Sequence, residues 1–189
     1  LQLLEGDKYE KLSDSNRTRT YVIHAPRGII FDRNQTPLVF NVPGYREIIK
    51  DKTKIIDSAH AMKLISKGKT NLEIDSLRSY PYKDITSHVL GYIGQISEEE
   101  LKQTEFANYS SGELIGKTGI EGTYEHILKG TDGKELIEVD SLGKVVRKLG
   151  KTDPIPGKNI TLTLDYNLQK TAFDAAKDIK KGAVIVSTP

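Results

Sequence analysis

Cysteine is absent from the 189 residues, which excludes disulfide frameworks and thiol chemistry. That suits a protein working outside a bacterial cytoplasm without disulfide formation, and it suits a cytosolic protein equally. No run approaches the roughly 20 apolar residues that a membrane-spanning helix needs, and no leader pattern of charged, apolar and small residues stands at the start. A dominant charge of one sign is also lacking. The 28 Lys and Arg are intermixed with 26 Asp and Glu for a net +2, which leaves no electrostatic footprint for nucleic acid. Hydrophobic residues make up 37%, enough for a modest core in one domain or two small ones, and imply an elongated or thin-cored molecule. The sequence opens abruptly at Leu1 and stops at Pro189 just after the apolar run Ala183 to Val186. Both ends read as cuts through a longer polypeptide.

Within the chain the patterns are short and mixed. Residues 7 to 18 read as a helix packing Tyr9 and Leu12, and Tyr21 to Ile23 as a strand. Ile29 and Ile30, the turn formers Asp32 to Thr36, and Leu38 to Phe40 predict a β-hairpin. From Lys54 to Ser66 the residues Ile55, Ile56, Ala59, Met62 and Ile65 recur at helical spacing, with Gly68 as a stop. Strands are expected at Leu72 to Leu77 and His88 to Ile96, and Ser97 with Glu100 forms a capping box. Gly119 to Leu128 reads as a helix, Leu136 to Val139 and Val145 to Leu149 as a hairpin across Ser141 and Gly143, and Lys151 to Lys158 as a connector. Ile160 to Leu164 alternates as a strand, and Leu168, Ala172, Ala176 and Ile179 mark a helix face before a last strand.

Several strings imitate chemistry. Ser111 to Thr118, SGELIGKT, would be a phosphate-cradling loop if Ser111 were glycine, but polar residues precede it where a buried strand is required. Lys117, Thr118 and Gly119 spell a Lys-Thr-Gly box, and Ser66 with Lys69 and Ser141 with Lys144 match Ser-x-x-Lys. A nucleophilic serine needs a helix N-terminus with the lysine one turn on. Ser66 falls at a predicted helix end, Ser141 falls in a turn, and no Ser-x-Asn element occurs. His24, His60, His88 and His126 show no ligand spacing, so no metal site is indicated. Glu121 and Glu125 could flank a cleft, but at i,i+4 they more often form a solvated face.

Pro26 to Asn41, PRGIIFDRNQTPLVFN, resembles the signature that opens the pedestal of class B penicillin-binding proteins, with Arg27, Gly28, Asp32, Arg33, Asn34 and Asn41 matching. Gln35 stands where that family usually has glycine. SHVLGYIGQIS resembles a second block, carrying His88, Gly91 and Tyr92, and IGKTGIEGTYEHILKGTDG resembles a third, carrying Gly116, Gly119, Glu121 and Tyr124. NITLTLDYNLQKTAFDA is similar to the segment leading into the transpeptidase domain, and GAVIVSTP to that domain's first strand. The tyrosine-rich YPYKDITSHVLGYIG is nearest to the elongation-specific type, with the division-specific type second.

The resemblance implies an α+β fold: an elongated pedestal of antiparallel strands and short helices that ends in the first strand of a missing transpeptidase domain. It divides the chain into a first pedestal segment (1–46), a shortened head-like insertion (47–80), the pedestal core (81–159) and a linker strand, helix and strand (160–189). No catalytic residue, metal or cofactor is implied in this stretch. The nucleophile of the parent serine-type D-Ala-D-Ala transpeptidase would lie beyond Pro189. The implied location is outside the cytoplasm on an inner-membrane anchor. The implied partners are the transpeptidase domain, a polytopic glycan polymerase and morphogenic membrane proteins, with peptidoglycan precursors reached through the parent enzyme. The matched residues are expected to be structural. Arg27 with Asp32 and Arg33 would form a charged network pinning strands, Gly116, Gly119 and Glu121 a turn into a helix N-terminus, and Tyr92 and Tyr124 core contacts.

Overall fold

The computed structural model describes residues 17–49, 52–68, 72–140, 145–179 and 181–187. The chain forms two compact units, one from the residues up to Pro26 with Gly130–Pro156, the other from Arg27–Lys129 with Gly157–Pro189.

In the first unit, β1 (Thr18–Ile23), β8 (Gly133–Val139) and β9 (Val145–Thr152) make an antiparallel sheet in the order β1-β8-β9. The predicted 136–149 hairpin is therefore present, longer at both ends, with β-bulges that shift its register. Its turn at Ser141 and Gly143, and the helix expected over 7 to 18 but for its last residues, lie outside the described residues. Ile137 and Val139 are buried from this sheet. Asp132 accepts from the Ala25 N–H at 2.7 Å and contacts His24 Nδ1 at 3.1 Å, tying the start of β8 to the end of β1.

The second unit is built on β3 (Pro37–Ile49). β2 (Ile30–Phe31) pairs antiparallel with its beginning, β4 (Lys52–Asp57) with its end, and β5 (Leu72–Ser79) with Phe40 to Glu47. β10 (Ile160–Thr161) lies parallel to β2. A second ladder joins β6 (Ile93–Gln95) and β7 (Leu114–Gly116). The helices are short: α1 (Ser58–Ser66), α2 (Ser87–Leu90), α3 (Gly119–Thr123), α4 (Glu125–Leu128) and α5 (Tyr166–Ala176). The α+β class with antiparallel strands and short helices is what the structure shows. Its core is small, Ile30, Leu38, Val39, Leu90 and Leu128, flanked by Tyr80, Tyr82, Leu162 and Tyr166.

Several expected elements come out differently: the Gly119–Leu128 helix is interrupted at Tyr124, the strand expected over Ile160–Leu164 covers only Ile160–Thr161, and three others change more. The helix expected from Lys54 begins at Ser58, because Lys54–Asp57 pair with β3 and Asp57 caps the helix by accepting from the His60 N–H at 2.7 Å. β-branched Ile55 and Ile56 fit a strand as readily as a helix, so periodicity alone could not place the boundary. The strand expected at 88–96 opens as a helical turn, in which Leu90 is buried and Val89 exposed. Gly91 ends that turn at φ +72°, where a Cβ would lie 1.9 Å from the Thr118 carbonyl oxygen, and only then does β6 begin. The apolar run Ala183 to Val186 forms no strand, since no described strand lies beside it, and Ile185 is 89% exposed.

Candidate functional site: a buried arginine and carboxylate cluster

Arg27 follows Pro26 and points its guanidinium at the start of the α3–α4 segment. Its Nε lies 2.6 Å from Glu121 Oε2, and its Nη2 lies 2.6 Å from Glu125 Oε2 and 3.0 Å from the Glu121 carbonyl oxygen. Glu121 in α3 and Glu125 at the start of α4 are at i,i+4, share one face across the interruption at Tyr124, and both turn inward. The solvated face expected for this pair is overturned: Glu121 is fully buried and Glu125 is 5% exposed. Two carboxylates at such depth require compensating charge, and the fork geometry of arginine supplies it in fixed directions.

The second cation is Arg78, on β5, with only 2% of its side chain exposed. Its Nε donates to Glu121 Oε1 at 2.8 Å and its Nη1 to Asn41 Oδ1 at 3.1 Å, while Asn41 Nδ2 donates back to the Arg27 carbonyl at 2.5 Å. Tyr80 OH reaches Glu121 Oε1 at 3.4 Å, Tyr109 OH reaches Glu125 Oε1 at 3.0 Å, and the Gly116 N–H donates to Glu125 Oε2 at 2.8 Å. Two positive and two negative groups thus balance inside one small volume. Burial pushes the Tyr80 and Tyr109 hydroxyls up, and the facing carboxylates push them further, so both stay protonated donors. Burial works against the Arg27 charge, but its bond to Glu125 and the field of Glu121 outweigh that and raise its pKa above the usual value.

Asp32 and Arg33 do not join this cluster, contrary to the network expected from the sequence. Asp32, fully buried, accepts backbone N–H groups: Asn34 and Thr36 on Oδ1 at 2.8 Å each, and Tyr166 on Oδ2 at 3.1 Å. Arg33 Nε donates to the Thr163 carbonyl at 2.7 Å, and Asn34 Nδ2 donates to Asp165 Oδ2 at 3.0 Å. An aspartate at the head of a tight turn satisfies backbone donors before it reaches for an adjacent arginine. Gly28 lies between the two constellations. A Cβ there would sit 1.9 Å from the Lys158 carbonyl oxygen, so only glycine lets residues 157–160 run alongside.

Of the other residues singled out, Gly116 is buried in β7, Gly119 opens α3 at φ +60° and His88 is exposed. Tyr92 and Tyr124 are 56% and 39% exposed and are not core residues. The residues missed by sequence reasoning are Arg78, Tyr80 and Tyr109. Arg78 is an arginine on an inward strand position, and neither periodicity nor spacing marks such a residue. The phosphate-loop imitation is also explained. Its Gly116 N–H is held by Glu125, and Lys117 Nζ lies 2.5 Å from Glu100 Oε2, so both groups that would meet a phosphate are bound to carboxylates. Among the described residues no group of three His, Asp or Glu converges as metal ligands, and no helix is long and apolar enough to cross a membrane.

Residues 67–162 match the family model of the penicillin-binding protein dimerisation domain. The chain belongs to that family. Along its whole length this dimerisation-domain chain is similar to the peptidoglycan D,D-transpeptidase MrdA of Acinetobacter baumannii, 29% identical over 234 residues, covering 35% of that protein. It thus spans about a third of the length of the relative it matches. The aligned stretch is longer than these 189 residues, so the relative carries extra residues within it. Among solved structures, the complex between penicillin-binding protein PBP2 and MreC from Helicobacter pylori matches with a TM-score of 0.64 at 24% identity, over 85% of this chain and 38% of that one, which shows the fold. A chain in a peptidoglycan synthase complex that coordinates polymerization and crosslinking matches with a TM-score of 0.62 at 26% identity, over 94% of this chain and 35% of that one.

Proposed function

We propose that this chain is the non-catalytic pedestal of a membrane-anchored, elongation-type peptidoglycan D,D-transpeptidase, acting outside the cytoplasm to position a catalytic domain and to dock partner proteins. The observation that carries the reading is the cluster itself. Arg27, Arg78, Glu121 and Glu125 neutralise one another and hold segments near positions 27, 41, 78, 109, 116 and 121 together, which is scaffold work. Ser66, which starts a Ser-x-x-Lys match, donates its hydroxyl to the Lys63 carbonyl at the end of α1 and is exposed. The kinship with MrdA transpeptidases supports the parent activity. In the parent a serine beyond Pro189 would be acylated by the penultimate D-Ala of a stem peptide, the terminal D-Ala would leave, and a neighbouring amine would take the acyl group; β-lactams would trap the acyl-enzyme.

The PBP2 relative solved with MreC and the relative in the synthase complex support docking toward a morphogenic membrane protein and a glycan polymerase. We take the β4, α1 and β5 segment as the shortened head-like insertion of 47–80. Fluorescent penicillin tests the reading. The 189-residue chain should stay unlabelled while the chain extended through its downstream domain is labelled; labelling of the short chain at Ser66 or Ser141 would overturn it.

A further inference from the structure

Asp32, Arg33 and Asn34 are consecutive, and all three side chains turn to the same short stretch, residues 163–166. Oδ2 of Asp32 accepts from the Tyr166 N–H at 3.1 Å, Arg33 Nε donates to the Thr163 carbonyl at 2.7 Å, and Asn34 Nδ2 donates to Asp165 Oδ2 at 3.0 Å. The Arg33 N–H adds a bond to the Leu164 carbonyl at 2.9 Å. Asp165 is also the N-cap of α5, accepting from the Leu168 N–H on its other oxygen at 3.1 Å. A hairpin turn needs none of these bonds to close, since the Gln35 N–H to Asp32 carbonyl and Thr36 N–H to Asp32 Oδ1 bonds already do so. Asp32 Oδ2, Arg33 Nε, Asn34 Nδ2 and the Arg33 N–H, which the turn does not use, are all aimed at the entrance of α5. Upstream, β10 lies parallel to β2, and the Leu162 N–H donates to the Phe31 carbonyl at 2.8 Å, so the approach to the turn is in register as well. On the far side of the helix entrance, Tyr82 stacks on Tyr166 with ring centroids 4.0 Å apart, and Gln169 Nε2 donates to the Ile85 carbonyl at 3.0 Å.

We propose that the Asp32-Arg33-Asn34 turn is a clasp that fixes the direction in which α5 leaves the β2–β3 hairpin, and that these three are positioning residues for the transpeptidation carried out downstream. The functional half rests on the pedestal reading above. Positioning of this kind acts through geometry: a small reorientation at the base of a helix displaces whatever the helix leads into, and reacting groups tolerate little misplacement.

The Asn34 and Asp165 pair allows a test by exchange of roles. Asn34→Asp sets two carboxylates against each other, and Asp165→Asn removes the acceptor that Asn34 uses. The double variant restores a donor opposite an acceptor with the direction reversed, while the amide oxygen that Asp165→Asn leaves in place can still cap Leu168. In the 189-residue chain, amide exchange at Tyr166 to Gln169 should accelerate about tenfold in Asn34→Asp and return toward the wild-type rate in the double variant. In the whole protein, acylation by fluorescent penicillin should slow several-fold in Asn34→Asp and recover in the double variant with the same rank order. Unchanged exchange in Asn34→Asp would overturn the clasp. Altered exchange with unchanged acylation would overturn the positioning role and leave a merely structural turn. A wild-type whole protein that takes no penicillin would overturn the pedestal reading and the functional half with it, while the exchange pattern would still decide the clasp.

Discussion

Glu121 is the residue on which most of the second unit converges, because its two oxygens serve different parts of the chain. Oε2 meets Arg27 and Oε1 meets Arg78 and Tyr80, with no exposure to solvent. Glu121→Gln keeps the shape, replaces one acceptor with a donor and leaves the two arginines with a single carboxylate in the cluster, Glu125, which bonds Arg27. Removing one partner of a buried ion pair costs about 3 kcal/mol or more, far above the usual cost of a surface change. Chemical denaturation should therefore show a lower midpoint with an unchanged slope, whereas a loss below about 1 kcal/mol would mean that the cluster is wetter and looser than its geometry. Arg27→Lys should also destabilise, since a lysine cannot span Glu121 and Glu125 in two directions at once. Half of this cluster was legible from sequence. Arg27 and Glu121 were singled out by the blocks they stand in, but the i,i+4 pair Glu121 and Glu125 read as a solvated face, and the partners that bury Glu125, Arg27, Tyr109 and the Gly116 N–H, lie 98, 16 and 9 residues away, where helical spacing gives no signal. Gln35 shows the opposite case. It occupies a left-handed conformation at φ +63°, the conformation that the glycine usual at that place would adopt without strain.

At the scale of elements, local signals that name specific atoms performed better than periodicity. The Ser97 and Glu100 capping box is present reciprocally, with the Ser97 N–H on Glu100 Oε2 at 2.7 Å and the Glu100 N–H on Ser97 Oγ at 3.3 Å, although it opens only a single 3-10 turn at Glu100–Lys102. The 30–40 hairpin was legible from its turn formers for the same reason. The 54–66 and 88–96 segments were misjudged where a run of β-branched or apolar residues satisfies two periods, and tertiary pairing with β3 or packing of Leu90 makes the choice. The boundary between β4 and α1 is then held by Asp57 in particular. Asp57→Ala removes the cap from a nine-residue helix and should cost about 1 kcal/mol. Amide exchange would rise at His60 and Ala61 first; an effect spread evenly over the second unit would show that the helix start is set by packing instead.

At the scale of the molecule, only eleven apolar side chains among the described residues are buried, five of them in one cluster, so the core has to be supplemented by polar order, and that order carries a pH dependence. Three carboxylates outside the arginine cluster are held below their ordinary range. The bond from Lys117, then those from Ser97, bring Glu100 to about 2. For Asp32 desolvation acts the other way, but the N–H groups of Thr36, Tyr166 and Asn34 outweigh it, and for Asp165 the Leu168 N–H and Asn34 lower the value. A carboxylate whose folded value is depressed contributes stability that is complete above its ordinary value and is lost as pH falls through the folded one. For Glu100 that window runs from its usual 4.5 down to about 2. Thermal midpoints should be flat near neutrality and fall progressively below about pH 4.5. Glu100→Gln should melt below the wild type at pH 7, and the gap should shrink from about pH 4.5 and largely close near pH 2, because about half the wild-type side chains are then protonated in the folded state and nearly all in the unfolded. A gap that stayed constant down to pH 2 would locate the contribution of Glu100 in its hydrogen bonds alone, with the charge of Lys117 irrelevant to it.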